Sequence, residues 1–137
     1  MAFLVELVSP ERILFEGDAV MVVARTTGGD IAFLPGHVPY LGALEISKLR
    51  IMQEADGGPR FETVVAVHGG FVEVSGEGVK ILSDVAELGA DIDVVRARTA
   101  MEAAEAALRS DPENVEAKQA LQRASVRLDA AGASASA

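Results

Sequence analysis

Leu88-Gly89-Ala90-Asp91-Ile92-Asp93-Val94-Val95-Arg96-Ala97 is where one kind of sequence ends and another begins. Downstream, Val94, Ala97, Met101, Ala104 and Leu108 recur at spacings of three and four, which places them on one face of a helix. Asp91 and Asp93 stand where a helix N-cap is needed, and their charge suits the positive end of the helix dipole. Composition changes at the same point. Residues 1–96 hold 12 of the 13 glycines and 9 of the 23 alanines, whereas residues 97–137 hold 1 glycine and 14 alanines. Glycine punctuates turns between strands and alanine is the best helix former, so a β-rich front and a helical back are expected.

Working back from that boundary, the front reads as many short strands. Phe3, Val5 and Leu7 alternate with Leu4, Glu6 and Val8, a period of two. Further strands are expected at 12–15, 18–25, 31–34, 49–54, 61–67, 71–74 and 79–82. Thr27-Gly28-Gly29-Asp30, Asp56-Gly57-Gly58-Pro59, Gly69-Gly70 and Ser75-Gly76-Glu77-Gly78 carry turn chemistry. His68 is expected at a strand end before a tight turn. Working forward, Asp111-Pro112 reads as an N-cap followed by proline at the first helical position. Ala117, Leu121, Ala124 and Leu128 then form a second stripe. The short linker makes the two helices antiparallel neighbours. Their stripes are mostly alanine, which permits close approach but buries little apolar area, so the hairpin should be lightly held. The expected fold class is α+β. An all-β sandwich or flattened barrel (1–88) carries a C-terminal antiparallel α-helical hairpin (89–131) and a frayed tail (132–137).

Charge excludes several functions. The chain has 12 basic and 21 acidic residues, a net charge of −9. Nucleic-acid binders carry basic stripes, and none is visible. No cysteine is present for disulfides, thiolate metal sites or a thiol nucleophile. The N-terminus has no signal-peptide pattern and no apolar run approaches the ~20 residues of a membrane span, so a soluble cytoplasmic protein is the expectation. Two histidines, His37 and His68, are too few for a metal site, and no phosphate loop or nucleophile elbow appears, so no catalytic residue is assigned.

Two segments invite a functional reading. Pro35-Gly36-His37-Val38-Pro39-Tyr40-Leu41 is stiffened by proline and presents apolar and aromatic side chains. It either makes a protein contact or covers the sandwich end, and the residues alone do not separate these. Arg123 and Arg127, four apart on one helix face, either hold a phosphorylated ligand opposite Asp93 and Arg96 or form a solvated face. Spacing alone favours the solvated face.

Together these segments resemble the epsilon subunit of bacterial rotary ATP synthases along nearly the whole chain. The resemblance is carried by Val5-Glu6-Leu7-Val8-Ser9-Pro10-Glu11-Arg12, by Gly29-Asp30-Ile31-Ala32-Phe33-Leu34-Pro35-Gly36-His37-Val38-Pro39, and by Gly69-Gly70-Phe71-Val72-Glu73-Val74. Ile81-Leu82-Ser83-Asp84-Val85-Ala86-Glu87 and Ile92-Asp93-Val94-Val95-Arg96-Ala97 complete it. It implies a sandwich of about ten strands with a helix-turn-helix, and a non-catalytic central-stalk subunit of the proton-translocating enzyme. The implied partners are the gamma subunit, the c-ring loops, and the alpha and beta subunits when the hairpin extends. No nucleic acid and no membrane insertion are implied, and the implied location is the cytoplasmic face of the bacterial plasma membrane. Asp30 maps to the family's ring-facing position, and Gly36, His37, Val38, Pro39 and Tyr40 to its stalk-contact loop. The family's hairpin folds down on the sandwich or extends to block ATP hydrolysis. No cofactor is required, but in some members ATP is a regulatory ligand of the folded form. The matching residues here are Glu87, Ile92, Asp93, Arg96, Ala97, Arg123 and Arg127. Ala103 stands where those ATP binders often carry an arginine. A stand-alone ATP-sensing module is the alternative expectation.

Overall fold

A computed structural model describes residues 2–56 and 58–132. Among the described residues eight strands are followed by a 3-10 turn at Gly89–Asp91 and two α-helices: β1 Phe3–Val8, β2 Ile13–Ala19, β3 Met21–Thr26, β4 Gly29–Phe33, β5 Tyr40–Glu54, β6 Arg60–Ser75, β7 Gly78–Leu82, β8 Ala86–Leu88, α1 Val94–Ser110 and α2 Val115–Ala130. The strands hydrogen-bond in the order β2-β1-β7-β6-β5-β3-β4, with β8 on β6. This is the expected sandwich with its helical hairpin. The expected fraying of 132–137 falls, from residue 133 onward, outside the described residues, as does Gly57 of the β5–β6 turn.

Two long strands make the sandwich from one connected sheet. In β6 the positions that enter the core between the layers are Val65 and Val67 before Gly69-Gly70, and Val72 and Val74 after it, so the inward phase slips by one residue, while Ala66 is buried on the opposite face. In β5 the change of inward phase lies opposite: Leu44 is buried before it, Leu49 and Ile51 after it, while the pairing register stays constant from Leu44↔Gly70 to Ile46↔His68. Since a strand's side chains alternate faces, a one-residue slip exchanges which face is buried. Each strand therefore lines both layers of the core. The first half of β6 pairs with β8 and the second half with β7. Counting each long strand once in each layer gives the expected number.

Gly69-Gly70 is therefore a bend inside a strand and not a turn between two. Gly70 has a φ of 117°, and a Cβ there would run into the Leu82 carbonyl oxygen, so only glycine serves. His68 consequently lies mid-strand, its N–H bonded to the Val85 carbonyl at 3.1 Å. The core between the layers is mostly aliphatic, with Val5, Leu7, Val22, Leu49, Ile51, Val65, Val72 and Ile81 fully buried alongside the aromatic ring of Phe33.

The second helix begins later than Asp111-Pro112 suggests. Asp111 closes α1 by donating its N–H to the Ala107 carbonyl, and Asn114 caps α2 by accepting from the Ala117 N–H at 3.0 Å. Pro112 serves the turn between them. The buried positions of the hairpin are Ala97, Ala104, Ala117, Ala124, Leu128 and Ala130.

Candidate functional site

The hairpin lies against the sheet through the C-terminal half of α2. Ala66, Ile92 and Ala130 form a small buried cluster, flanked by Val64, Val126 and Ala131. Most of these side chains are alanine or valine, so the apolar contribution is modest. Gly89 sits at the seam. A Cβ on it would collide with the Ala130 carbonyl oxygen and lie 3.2 Å from that of Val64, so its missing side chain lets α2 approach.

Polar contacts frame this seam on two sides. On one, Lys48 Nζ reaches Asp129 Oδ1 at 3.2 Å, with the carboxylate well exposed. On the other, Arg127 Nε donates to Glu87 Oε1 at 2.6 Å, a tight and partly shielded pair. The same oxygen lies 3.2 Å from His68 Nε2. Three elements thus meet on one carboxylate: His68 from β6, Glu87 from β8 and Arg127 from α2. Burial pushes Glu87 up, but the hydrogen bond and charge of Arg127, joined by His68, outweigh it and hold the carboxyl below the ordinary carboxylate range. His68 is lowered from its ordinary value, first by burial and then by the charge of Arg127, against the opposing pull of Glu87.

The residues matched to an ATP motif divide into separate local roles. Glu87 and Arg127 touch each other. Ile92 and Ala97 are packing residues, at the seam and between the helices. Asp93 caps α1 by accepting from the Arg96 backbone N–H at 3.1 Å, and the Arg96 side chain is exposed. Arg123 pairs with Glu116 of its own helix at 3.2 Å. Spacing does not reveal this division, because the capturing carboxylate of Arg127 comes from forty residues earlier in the chain.

Asp30 and the loop after β4 lie at opposite ends of that strand. Asp30 accepts from Arg25 Nε at 2.8 Å beside the β3–β4 turn. In the loop, Gly36 adopts a φ of 83°, and His37 donates its N–H to the Leu34 carbonyl at 3.0 Å. The His37 ring packs edge-on to Phe33 and Tyr40, with centroids 5.0 Å and 6.4 Å away. The aromatic side chains thus hold the loop, while Leu34, Val38 and Leu41 are turned to solvent.

A further surface escapes the sequence reading. The register aligns Ala43, Phe71, Leu82, Val8 and Ile13 across β5, β6, β7, β1 and β2. At ~4.8 Å between strands this apolar row is about 19 Å long. Phe71, Leu82 and Ile13 are about half exposed, at 54%, 41% and 56%. Beside it opens a cavity of about 480 Å³ bordered by Pro10, His68, Gly70, Phe71, Leu82 and Ser83. The row was detectable only once the strand register was known. Among the described residues there is no group of three or more metal-ligating side chains, and no helix long and apolar enough to cross a membrane.

These features define a two-part class of protein, a folded-over β-sandwich with an antiparallel helical hairpin laid on one face. Residues 2–89 match the model of the ATP synthase Delta/Epsilon chain beta-sandwich domain, and residues 90–132 that of its long alpha-helix domain. The chain belongs to the ATP synthase delta/epsilon chain family. It is 43% identical over 126 residues to an ATP synthase epsilon chain of Streptomyces griseus, covering 92% of each chain. It is 42% identical over 132 residues to one of Halalkalibacterium halodurans, covering 93% of this chain and 96% of the relative. Among solved structures it resembles a chain of the Euglena gracilis mitochondrial ATP synthase OSCP/F1/c-ring assembly, with a TM-score of 0.77 and 25% identity over 95% of this chain and 81% of that one. A chain of the Tetrahymena thermophila central stalk/c-ring shares the fold, with a TM-score of 0.52 and 15% identity over 80% of this chain and 92% of that one.

Proposed function

We propose that the chain is a non-catalytic central-stalk subunit of a rotary ATP synthase, coupling rotation between the c-ring and the catalytic hexamer and restraining ATP hydrolysis through its hairpin. Residues 1–88 dock on the rotor and residues 89–131 regulate. The carrying observation is the contrast between two surfaces. The hairpin is held on the sheet by a small alanine-rich contact and two ion pairs, so a released state lies within reach of a few kcal/mol. On the other layer, the apolar row through Phe71, Leu82 and Ile13 is left uncovered, as a docking face for a partner such as the gamma subunit requires. Leu34, Val38 and Leu41 at the sandwich end offer a second contact, and Asp30 at the far end of β4 a polar one to the c-ring loops. The extended hairpin would meet the alpha and beta subunits. This reading places the chain peripherally, at the cytoplasmic face of the bacterial membrane.

An ATP-sensing role has less support. Arg127 is held by Glu87 and Arg123 by Glu116, so a phosphate seated there must displace two carboxylates. The test of the main reading is deletion of residues 89–137 in the assembled enzyme. Hydrolysis should rise while association with the stalk persists. Unchanged hydrolysis would refute inhibition by the hairpin.

A further inference from the structure

We propose that His68, Glu87 and Arg127 form a proton-operated latch, which holds the hairpin on the sheet while His68 is neutral and lets it go when the ring takes a second proton. The inference rests on the hairpin being releasable, as in the reading above.

The geometry assigns each group a part. The His68 side chain is 4% exposed, and its Nε2 faces Glu87 Oε1, so the neutral ring carries its proton on Nε2 and donates it to the carboxylate. Nδ1 is buried and has no hydrogen-bond partner among the described residues. A second proton there finds no acceptor. It also changes the local balance of charge. With the ring neutral, Glu87 answers one cation, Arg127. With the ring charged, two cations compete for one carboxylate while Arg123 stands nearby on the same helix.

Release of the hairpin resolves this competition. Arg127 and Arg123 both belong to α2 and leave with it. Glu87 belongs to β8 and stays, in register with Ala66 beside His68. The imidazolium then takes over the carboxylate that Arg127 gives up. The charged groups facing His68 are therefore Glu87 from β8 and Arg123 and Arg127 from α2. From β5 the paired residue is Ile46, which is uncharged. His68 is among the residues that border the cavity beside Gly70. The other histidine, His37, packs on Phe33 and Tyr40 and belongs to a different part of the fold.

The sign follows from linkage. His68 is lowered from 6.5 in the docked state, partly by Arg127, and departure of the hairpin removes that influence. The released state therefore binds the proton more tightly. Docking is strongest above the ordinary histidine value and weakens as pH falls through the lowered one. Glu87, held below the ordinary carboxylate range, keeps its charge through this window.

The experiment uses the full chain, which has no native cysteine, with spin labels on E73C in β6 and E105C in α1, both at exposed positions. Inter-label distances are measured from about pH 8 to about pH 5. The ratio of released to docked chains should rise on acidification by up to about tenfold per pH unit, the limit for one coupled proton. His68→Gln keeps a donor for Glu87 but cannot take a proton, and its profile should be flat. Arg127→Gln, on the helix surface, should reduce the slope without disturbing the sheet. Val126→Asp puts a charge into the seam and should release the hairpin at every pH. If Val126→Asp releases the hairpin but the unmodified chain shows no pH dependence, the latch is wrong and the mobile hairpin stands. A profile that His68→Gln leaves unchanged also overturns the latch. No release even in Val126→Asp overturns the mobile hairpin, and the latch with it.

Discussion

Gly89→Ala should free the hairpin with no change in charge. Gly89 lies where the chain leaves β8, and a Cβ there would sit well inside contact distance of the Ala130 carbonyl oxygen, 3.0 Å from its carbon and 3.2 Å from the Val64 carbonyl oxygen. All three obstacles are backbone, so no side chain can rotate aside. Overpacking of this kind costs about 1–3 kcal/mol. The contact opposing it is small: Ala66, Ile92 and Ala130, with Val64, Val126 and Ala131 at its edge. The strain can be relieved by moving α2 away, which leaves the sandwich core untouched. A coupling of that size shifts the equilibrium toward release by about 5–150-fold. The assay is limited trypsin digestion followed by mass spectrometry, reading cleavage after Arg127, which is half-buried in the docked hairpin. Where opening is fast relative to cleavage, the rate follows the open population. Gly76→Ala is the control, because a Cβ there meets nothing within 4 Å. If Gly89→Ala is cut no faster than Gly76→Ala and its far-ultraviolet spectrum is unchanged, the close approach at the seam does not govern docking.

Arg127→Met should weaken docking by about 1–2 kcal/mol, the worth of a charge-assisted hydrogen bond after solvent screening. Lys48→Met should change docking by no more than about 0.5 kcal/mol, because its partner Asp129 is largely exposed; the same spin-label distances read both. Phe71→Asp should leave the isolated fold intact and weaken association with the stalk by about tenfold or more, measured by co-purification with the rotor at graded concentrations. Calorimetry with ATP and magnesium should show binding no tighter than millimolar, and a micromolar site abolished by Arg123→Ala would revive the ATP-sensing alternative.

Much of this architecture was legible in local patterns. Alternation in Phe3–Val8, the change from glycine to alanine near Gly89, and the Ala117, Leu121, Ala124, Leu128 stripe all survive in the structure. Two local signals were overridden. Gly69-Gly70 has the composition of a turn, yet the strand continues through it with a bend, where the inward phase slips between Val65, Val67 and Val72, Val74. That slip is visible in the sequence once one looks for two alternating runs out of phase. Asp111-Pro112 has the chemistry of a helix start, but Asn114 competes for the same task and wins with its bond to Ala117.

The candidate site was legible as a set of residues but not as an arrangement. Residue spacing within a helix determines which side chains share a face, so the alanine seam of the hairpin follows from the sequence by itself. Nothing local determines which carboxylate captures Arg127, or that His68 lies buried behind Glu87. Those choices arise where β6, β8 and α2 converge, since a charge-assisted hydrogen bond depends on distances set by the whole fold. The apolar row through Phe71, Leu82 and Ile13 likewise comes from cross-strand register, which joins residues far apart in the chain and is decided by packing both layers of the core at once.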